Sequence, residues 1–300
     1  GQIVWTAGDI RTGNSGVINN SGQWFIQTAN DINTAYGGNA VFTNSGTIQK
    51  TVNASTTSIP STMPFYNSGT IDVRTGTLSF DAATIQTAGL THLNGGSVTF
   101  SQPFQLLGGS LIGTNTITGT VTNSSIVSPG ASPGILTITG SYYQTPSGRL
   151  DVELGGTNVG SGYDRVAISG SATLAGTMNV ILADTFTPAV SNTFRVMTYG
   201  SFSGAFGSIS GLSLSKNLLL QTTYLTTALD LRAVVNTNQV VDAPSIVSSP
   251  ASLTIVNGQT ATFDVTVAGT RPVVYQWRFN GTNLTGATSV PLVLVNAQPN

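Results

Sequence analysis

The chain has 300 residues and a formal net charge of −1, and charged residues occupy only 7% of it, far below the ~25% usual in globular proteins. Near-neutral charge without a basic stretch disfavours nucleic-acid binding, and the absence of cysteine excludes disulfides, thiol catalysis and thiolate metal sites. Apolar residues make up 39% of the chain, which predicts a folded protein, and no segment reaches the ~20 apolar residues of a membrane span.

Short apolar clusters separated by Asn, Gly and Ser occupy the first 65 residues, and a weak repeat begins within them. Asn44-Ser45-Gly46-Thr47-Ile48 recurs as Asn67-Ser68-Gly69-Thr70-Ile71, and we interpret Asn14-Ser15-Gly16-Val17-Ile18 as an earlier, degenerate copy. A fixed repeat of roughly 20 to 50 residues is typical of stacked architectures. Each copy therefore predicts one coil of a parallel β-helix.

Between residues 70 and 125, short apolar pairs such as Leu78 with Phe80 closely follow glycines. A solenoid that bends three times per coil needs short strands after tight turns, and no helical period of 3.6 competes. We predict an all-β fold with a parallel β-helix, or β-solenoid, over residues 1–180. Short strands also permit an antiparallel sandwich or a jelly roll, which stays open as the alternative.

Residues 128–140 contain two Ser-Pro-Gly turns that lead into a stretch rich in β-branched residues. Proline fixes φ and glycine frees it, which is what a corner before a strand requires. We therefore predict a structural role for Pro129, Gly130, Pro133 and Gly134.

Four features between residues 128 and 180 belong together: the double Ser-Pro-Gly turn, the strand at residues 150–156, Tyr163-Asp164-Arg165-Val166 and Gly176-Thr177-Met178-Asn179-Val180. Together they resemble the end of the passenger region in autotransporter-type bacterial surface proteins, the region of the autotransporter-associated β-strand repeat. The resemblance covers roughly residues 65–235. It implies a right-handed parallel β-helix with an extracellular or bacterial cell-surface location, and it brings no catalytic motif.

Residues 181–235 carry longer predicted strands than the preceding coils. The last coil of a solenoid leaves an unpaired strand edge and an open apolar core, so another segment must cover it. We assign residues 181–235 as the C-terminal strands, or cap, of the solenoid.

A linker is predicted at residues 236–250, where Asn, Thr and Gln precede two prolines. In residues 251–300, two alternating segments flank the Asn257-Gly258 turn, and a strand that carries Trp277 leads into a second predicted turn at Asn280-Gly281. This part of the chain resembles part of a bacterial immunoglobulin-like β-sandwich, and Trp277 stands where that family has its core tryptophan.

The chain departs from the immunoglobulin-like pattern, because the two bracketing cysteines are absent and the sequence ends before the last two strands. A sandwich without two strands leaves its core open. We therefore expect the sequence to be part of a longer polypeptide, and completion by a strand from a neighbouring chain is the alternative.

Candidate catalytic residues are few. His92 is the one histidine, and its Asn-Gly neighbours indicate a surface position rather than a triad or metal site. The enzymatic alternative is polysaccharide cleavage, which uses paired acids about 5 to 9.5 Å apart. Asp151 and Glu153 share a strand face about 6.5 to 7 Å apart, although an alternating charged strand explains both without a substrate. The candidate acids are Asp72, Asp81, Asp151, Glu153 and Asp164.

We predict no cofactor and no metal site. The aspartates are scattered, and the Gly-Gly-x-Gly-x-Asp repeat of calcium-binding β-rolls is absent. Aromatic residues at Tyr142-Tyr143 and in residues 199–206 form a candidate stacking surface for sugars, although strand alternation places about half of them in the core.

The expected function is a non-catalytic extracellular scaffold or adhesin, either surface-displayed or fibre-forming, in which uncharged, hydroxyl-rich strands stack into a stiff rod. Expected partners are other copies of the chain, cell-surface or matrix components, and glycans, with no nucleic acid and no membrane insertion. The alternative is a polysaccharide-active enzyme or a glycan-binding module on the same β-helix.

Overall fold

Two compact units, Gly1–Asn236 and Thr237–Asn300, make up the chain. In the residues that the computed structural model describes, the secondary structure is strand and turn, without helix. The predicted linker at residues 236–250 includes residues 238–242, which lie outside the described residues. The described residues are 1–52, 54–130, 133–183, 186–237, 243–269 and 273–298.

The first unit consists of short strands in regular succession. In chain order they are β1 (Gln2–Trp5), β2 (Ile10–Arg11), β3 (Val17–Asn20), β4 (Gln23–Ile26), β5 (Ile32–Asn33), β6 (Val41–Asn44), β7 (Thr47–Lys50), β8 (Thr56–Ile59), β9 (Phe65–Asn67), β10 (Thr70–Val73), β11 (Thr77–Phe80), β12 (Thr84–Gln86), β13 (Leu90–Leu93), β14 (Ser97–Phe100), β15 (Phe104–Leu106), β16 (Ser110–Gly113), β17 (Thr116–Thr118), β18 (Val121–Asn123), β19 (Ile126–Pro129), β20 (Ile135–Thr139), β21 (Tyr142–Gln144), β22 (Arg149–Leu154), β23 (Arg165–Ile168), β24 (Ser171–Leu174), β25 (Thr177–Leu182), β26 (Thr193–Thr198), β27 (Ser201–Gly204), β28 (Ser208–Ser210), β29 (Ser213–Ser215), β30 (Leu218–Leu225) and β31 (Ala228–Val235).

Three long sheets run through this unit, and from β6 to β25 each coil of the chain adds one strand to each sheet, whereas β2 and β5 pair with each other in a separate two-stranded sheet. The first sheet has the order β1-β4-β7-β10-β13-β16-β19-β22-β25-β28. The second continues β8-β11-β14-β17-β20-β23-β26 with β31, β30 and β29, and the third runs from β3 through β6, β9, β12, β15, β18, β21 and β24 to β27. Pairing between successive coils is parallel up to β28. This confirms the predicted parallel stack and excludes the antiparallel sandwich for this unit; right-handed winding stays a prediction.

Strand alternation explains the core of the first unit. On each strand, every second side chain points inward, as with Leu78 and Phe80, which are 0% and 1% exposed. Aromatic rings form a continuous column of edge-on, tilted and stacked contacts through these coils, with neighbouring ring centroids 4.5 to 6.3 Å apart. The column consists of Trp5, Trp24, Phe42, Phe65, Phe80, Phe100 and Phe104.

The repeat seen in the sequence marks one corner of the coil. Asn44 and Asn67 lie opposite each other at the ends of β6 and β9, and both are buried. The residue opposite Asn44 in the preceding coil is Asn20, so the interpretation of residues 14–18 as the earlier copy was wrong. Asn14 instead lies in a turn with φ 53°, before the strand that pairs with β6.

These asparagines form a buried amide column. The Asn20 Nδ2 donates to Asn44 Oδ1 at 2.7 Å, and Asn44 Nδ2 donates to Asn67 Oδ1 at 2.7 Å. The Asn67 Nδ2 then donates to Gln86 Oε1 at 3.0 Å. Leu106 takes the next position, where the column stops. Buried amides of this kind are stable only when fully hydrogen-bonded, so the column fixes which residues occupy this corner.

Glycines follow the amide column at the same corner. A Cβ on Gly46 would overlap the carbonyl of Gly22 in the coil below, and a Cβ on Gly69 would overlap the carbonyl of Gly46. The Asn-Ser-Gly repeat therefore has two requirements at this corner. The asparagine side chain is needed for the hydrogen bonds of the amide column, and glycine is needed because any side chain there would overlap the backbone of the coil below.

Residues 181–235, predicted to cap the solenoid, contain the change from parallel to antiparallel pairing. The strand β26 pairs in parallel with β23 on one side and antiparallel with β31 on the other. A long antiparallel hairpin, β30 with β31, follows. Its inward residues Leu220, Leu229 and Leu231 are at most 1% exposed and belong to the same core cluster as the coils.

Lys50 is a buried cation inside the β-helix. Its side chain is 0% exposed, and the adjacent inward residues in register are Ile26 and Val73. The Lys50 Nζ donates to the Thr28 carbonyl at 3.2 Å and to Thr57 Oγ1 at 3.0 Å. Burial lowers the pKa of Lys50, and the negative charge of Asp31 opposes that change to a smaller extent.

The second unit has short antiparallel pairs. Its strands are β32 (Ser245–Ser248), β33 (Ala261–Phe263), β34 (Thr266–Ala268), β35 (Arg278–Phe279), β36 (Thr282–Asn283) and β37 (Leu292–Leu294). They pair as β32 with β34, β33 with β37, and β35 with β36. The predicted strand before Asn257-Gly258 is not formed, whereas the predicted Asn280-Gly281 turn joins β35 to β36 with positive φ at both residues. Among the described residues of this unit only Ala261 is buried, so these residues do not form a closed sandwich core.

The amide column predicts a specific loss of stability. Asn44→Ala leaves the Asn20 and Asn67 amides without their shared partner, so we expect the free energy of unfolding to fall by about 1 to 3 kcal/mol in urea denaturation. Thr43→Ala, at the adjacent outward position, is the matched control and is expected to change it by about 0.5 kcal/mol or less. Equal effects of the two substitutions would contradict a special role for the column.

Replacing the buried Lys50 cation by an apolar side chain is expected to increase the stability of the fold. In Lys50→Met the apolar neighbours remain, and Thr57 Oγ1 still donates to the Thr28 carbonyl at 2.9 Å. We expect the free energy of unfolding at neutral pH to rise by about 1 to 3 kcal/mol, because the cost of burying an amine disappears. The gain is expected to shrink as pH rises towards the ordinary lysine pKa. Lys216→Met, at an exposed turn, is the control, and a loss of stability in Lys50→Met would contradict the argument.

Candidate functional site

The most polar surface cluster of the first unit surrounds Asp72 on the outer face of the first sheet. Parallel register places Gln49, Asp72 and His92 side by side on β7, β10 and β13. Asp72 Oδ2 accepts from Gln49 Nε2 at 2.8 Å and from Arg74 Nε at 2.7 Å, and His92 Nδ1 lies 3.7 Å from Asp72 Oδ1. The predicted surface histidine is therefore partly exposed and lies beside an acid.

The predicted acid pair, Asp151 and Glu153, lies on β22 of the same sheet. Arg149 holds Asp151, with Nε 2.9 Å from Oδ1 and Nη2 2.9 Å from Oδ2. Three strands separate Asp72 from Asp151, so the two positions lie about 19 Å apart. That distance is about twice the largest separation used by paired glycosidase acids.

The remaining candidate acids have structural partners. Asp81 accepts hydrogen bonds from the hydroxyls of Ser79 at 2.9 Å and Ser101 at 3.2 Å. Asp164 is 2% exposed, and its carboxylate accepts from the backbone N–H groups of Gly134 at 2.7 Å and Glu153 at 2.8 Å. Burial raises the pKa of Asp164 to about 6, although the two N–H donors act in the opposite direction.

Asp164 connects to the Ser-Pro-Gly turns whose prolines and glycines were predicted to be structural. Pro129 ends β19, and the N–H of Gly130 donates to the Gly113 carbonyl at 2.8 Å. A Cβ on Gly130, where φ is +96°, would lie 2.5 Å from Asp164 Oδ1. Pro133 precedes Gly134, whose N–H binds the same oxygen; residues 131 and 132 between the two turns lie outside the described residues.

The predicted aromatic surface is mostly buried. Tyr142 is 0% exposed, and its hydroxyl bonds to Asn123 and Gln144 inside the coil, whereas Tyr143 is 42% exposed. Within residues 199–206, Tyr199 and Phe206 are buried, so that segment is not a stacking surface. Strand alternation predicted this partition; it could not identify Tyr66, which is 43% exposed on the same outward row of the third sheet as Tyr143.

A groove of about 300 Å³ in the second unit contains the predicted core tryptophan. Trp277 is half-buried, and its indole N–H donates to the Ser289 carbonyl at 2.9 Å. Apolar side chains including Ile246, Val267 and Val274 line the groove. Its identity as the core of an immunoglobulin-like domain stays a prediction.

Metal and membrane features were also sought in the part of the chain that the structure describes. No group of three or more His, Asp and Glu residues there is arranged to hold a metal ion. No helix there is long and apolar enough to cross a membrane.

The raised pKa of Asp164 predicts that the free energy of unfolding depends on pH in an unusual direction. Because its folded pKa of about 6 exceeds the ordinary value of about 3.9, this group stabilises the fold more as pH falls from 7 to 4, by up to about 3 kcal/mol. The difference in unfolding free energy between wild type and Asp164→Asn should therefore change over that range in urea titrations at fixed pH. Asp81→Asn is the control, and a pH-independent difference for Asp164→Asn would contradict the assignment.

Comparisons with known proteins leave the site to be judged on its own geometry. No protein-family model matches the sequence, and a search of curated proteins found no match.

Proposed function

We propose that the first unit is a non-catalytic extracellular scaffold or adhesin, surface-displayed or fibre-forming. The observation that carries this proposal is the unbroken parallel stack, in which every coil hydrogen-bonds to the next and presents short outward rows of side chains. The resemblance of residues 65–235 to autotransporter passengers, which implies right-handed winding, supports an extracellular or cell-surface location.

The bonding of the acids supports a non-catalytic role. Asp72 and Asp151 are held by arginines, and Asp164 by backbone N–H groups, so these carboxylates serve the fold. A catalytic pair needs one acid free to protonate a leaving group and a second within about 9.5 Å. Asp151 and Glu153 on β22 satisfy the distance, but Arg149 already holds Asp151.

We further propose that the second unit is part of an immunoglobulin-like domain that acts as a spacer or contact module. Its antiparallel strands and its Trp277-lined groove support this assignment. Partners of the whole chain are then other copies of itself and cell-surface or matrix components.

Glycan binding is the second candidate, and one observation favours it. Tyr66 and Tyr143 are exposed on one outward row of the third sheet, about 19 Å apart, and the positions between them are Ile85 and the polar residues Gln105 and Thr122. Two rings at that separation match the ends of a short extended sugar chain, with amide and hydroxyl groups between them for its edges.

Surface display is tested on intact cells that produce the full protein. Antibodies against the first unit should label unpermeabilised cells or filaments outside them, with an internal cytoplasmic protein as the negative control. Labelling that requires permeabilisation would overturn the extracellular scaffold.

The non-catalytic proposal predicts the outcome of a degradation assay. Wild-type protein, Glu153→Gln and Asp151→Asn should all leave neutral and uronate-containing polysaccharides intact, as measured by the release of reducing ends. If wild type releases product and Glu153→Gln releases at least tenfold less, the chain is a glycan-cleaving enzyme and the scaffold proposal is wrong.

A further inference from the structure

The second sheet carries two adjacent outward rows built only from threonine and serine. The rows cross five consecutive strands, β8, β11, β14, β17 and β20, whose parallel registers align outward positions without a shift. We name these rows the hydroxyl array. One row is Thr56, Thr77, Ser97, Thr116 and Thr137, and the other is Ser58, Ser79, Thr99, Thr118 and Thr139.

The other two sheets of the same coils do not share this composition. Outward positions on the first sheet include Asp72, His92 and Ile112, and those on the third include Tyr66 and Gln105. Threonine favours strands wherever it occurs, so strand propensity alone would distribute it over all three faces. Threonine is outward on the other sheets too, as at Thr47, Thr70 and Thr122, but in the registers of these coils it alternates there with other residue types, whereas two rows of the second sheet are unbroken across five strands.

The hydroxyls of the array are also largely unused by the protein. Elsewhere on the surface, outward side chains bond across coils, as Ser203 does to Thr173 at 3.3 Å and Ser210 to Asn179 at 2.6 Å. Among the described residues, the one array hydroxyl bonded to the protein is that of Ser79, which donates to Asp81 at 2.9 Å. Ser79 is also 7% exposed, and the other nine hydroxyls of the array present donors and acceptors in a fixed pattern, without a partner in the described part of the protein.

The pattern is a two-dimensional lattice. Outward residues two apart on a strand are separated by about 6.6 to 6.8 Å, and equivalent residues on adjacent strands by about 4.7 to 4.9 Å. A ligand that uses the whole array must itself repeat at these two spacings. Oxygen atoms on a prism face of hexagonal ice also repeat along two perpendicular directions, the shorter repeat being close to the strand spacing and the longer one slightly above the spacing along a strand.

The chemical composition of the array indicates which kind of repeating surface it can bind. Its rows contain no charged residue, which disfavours charged mineral surfaces, and no aromatic ring, which disfavours stacking on crystalline polysaccharide. Water in ice needs only hydroxyl donors and acceptors, with methyl groups to fill the spaces between them. We propose that the hydroxyl array binds ice.

Rigidity makes such binding favourable. Backbone hydrogen bonds on both sides of each strand fix the spacing of the rows, and the β-branched threonine side chain has few rotamers. Little conformational freedom is then lost when ordered water attaches to the array. This function is independent of the scaffold proposal, because it depends on one face of the coils and on no surface anchor.

The test uses the intact 300-residue chain in an ice-partition assay, in which a slowly growing ice hemisphere incorporates bound protein. Thr118→Lys places a long charged chain in the middle of the array. Thr70→Lys makes the same change at an outward position of β10 on the first sheet. We expect wild type and Thr70→Lys to be enriched in the ice at least fivefold over serum albumin, and Thr118→Lys to lose that enrichment. Thermal melts check that both variants are folded.

Three results would overturn the proposal. The first is exclusion of wild type from ice, and the second is equal loss of enrichment in the two variants. The third is binding to insoluble cellulose or chitin that Thr118→Lys abolishes, without any incorporation of wild type into ice, which would assign the array to a polysaccharide. Thr118→Ser, which keeps the hydroxyl and loses only a methyl group, should retain more enrichment than Thr118→Lys.

Discussion

Backbone hydrogen bonding between successive coils is the constraint on which the first unit depends. Each strand finds its partners in the coil before and the coil after, so the position of every residue is set relative to residues roughly one coil away. Buried backbone groups must be paired, and the coil satisfies this without any helix in the described residues. The same side of each coil then meets the same side of the next, which turns single residues into columns.

The stacking of equivalent residues into columns explains the amino-acid composition of the chain. Inward columns are apolar or aromatic, such as the ring column that includes Trp24 and Phe42, and one corner is an amide column beside stacked glycines. Outward columns need no charge for solubility when hydroxyls and amides occupy them. The low charge content is therefore a consequence of a fold that satisfies its polar groups by stacking rather than by ion pairs.

The sequence predicted the parallel stack because strands, glycines and the Asn-Ser-Gly repeat recur at coil length. It did not predict the register, because the coils differ in length. The first copy, Asn20-Ser21-Gly22, is followed by Gln-Trp rather than by the Thr-Ile of the later copies, so it was not recognised. For the same reason the contact of His92 with Asp72 was missed, although both residues were noted. The hairpin at Asn280-Gly281 was predictable because it is local, whereas the strand before Asn257 depended on packing that this unit does not provide.

Leu106 interrupts the amide column between Gln86 and Asn123. The Gln86 amide instead donates to the backbone carbonyls of Gly108 at 3.2 Å and Ser110 at 3.1 Å, and amide-to-side-chain bonding resumes at Asn123, whose Nδ2 donates to the Tyr142 hydroxyl at 3.0 Å. Hydrogen bonding at this corner is therefore continuous although the residue type is not. An apolar residue can replace an amide here because the preceding side chain reaches the main chain of the next coil, so the corner tolerates a change of sequence without a gap in its hydrogen bonds.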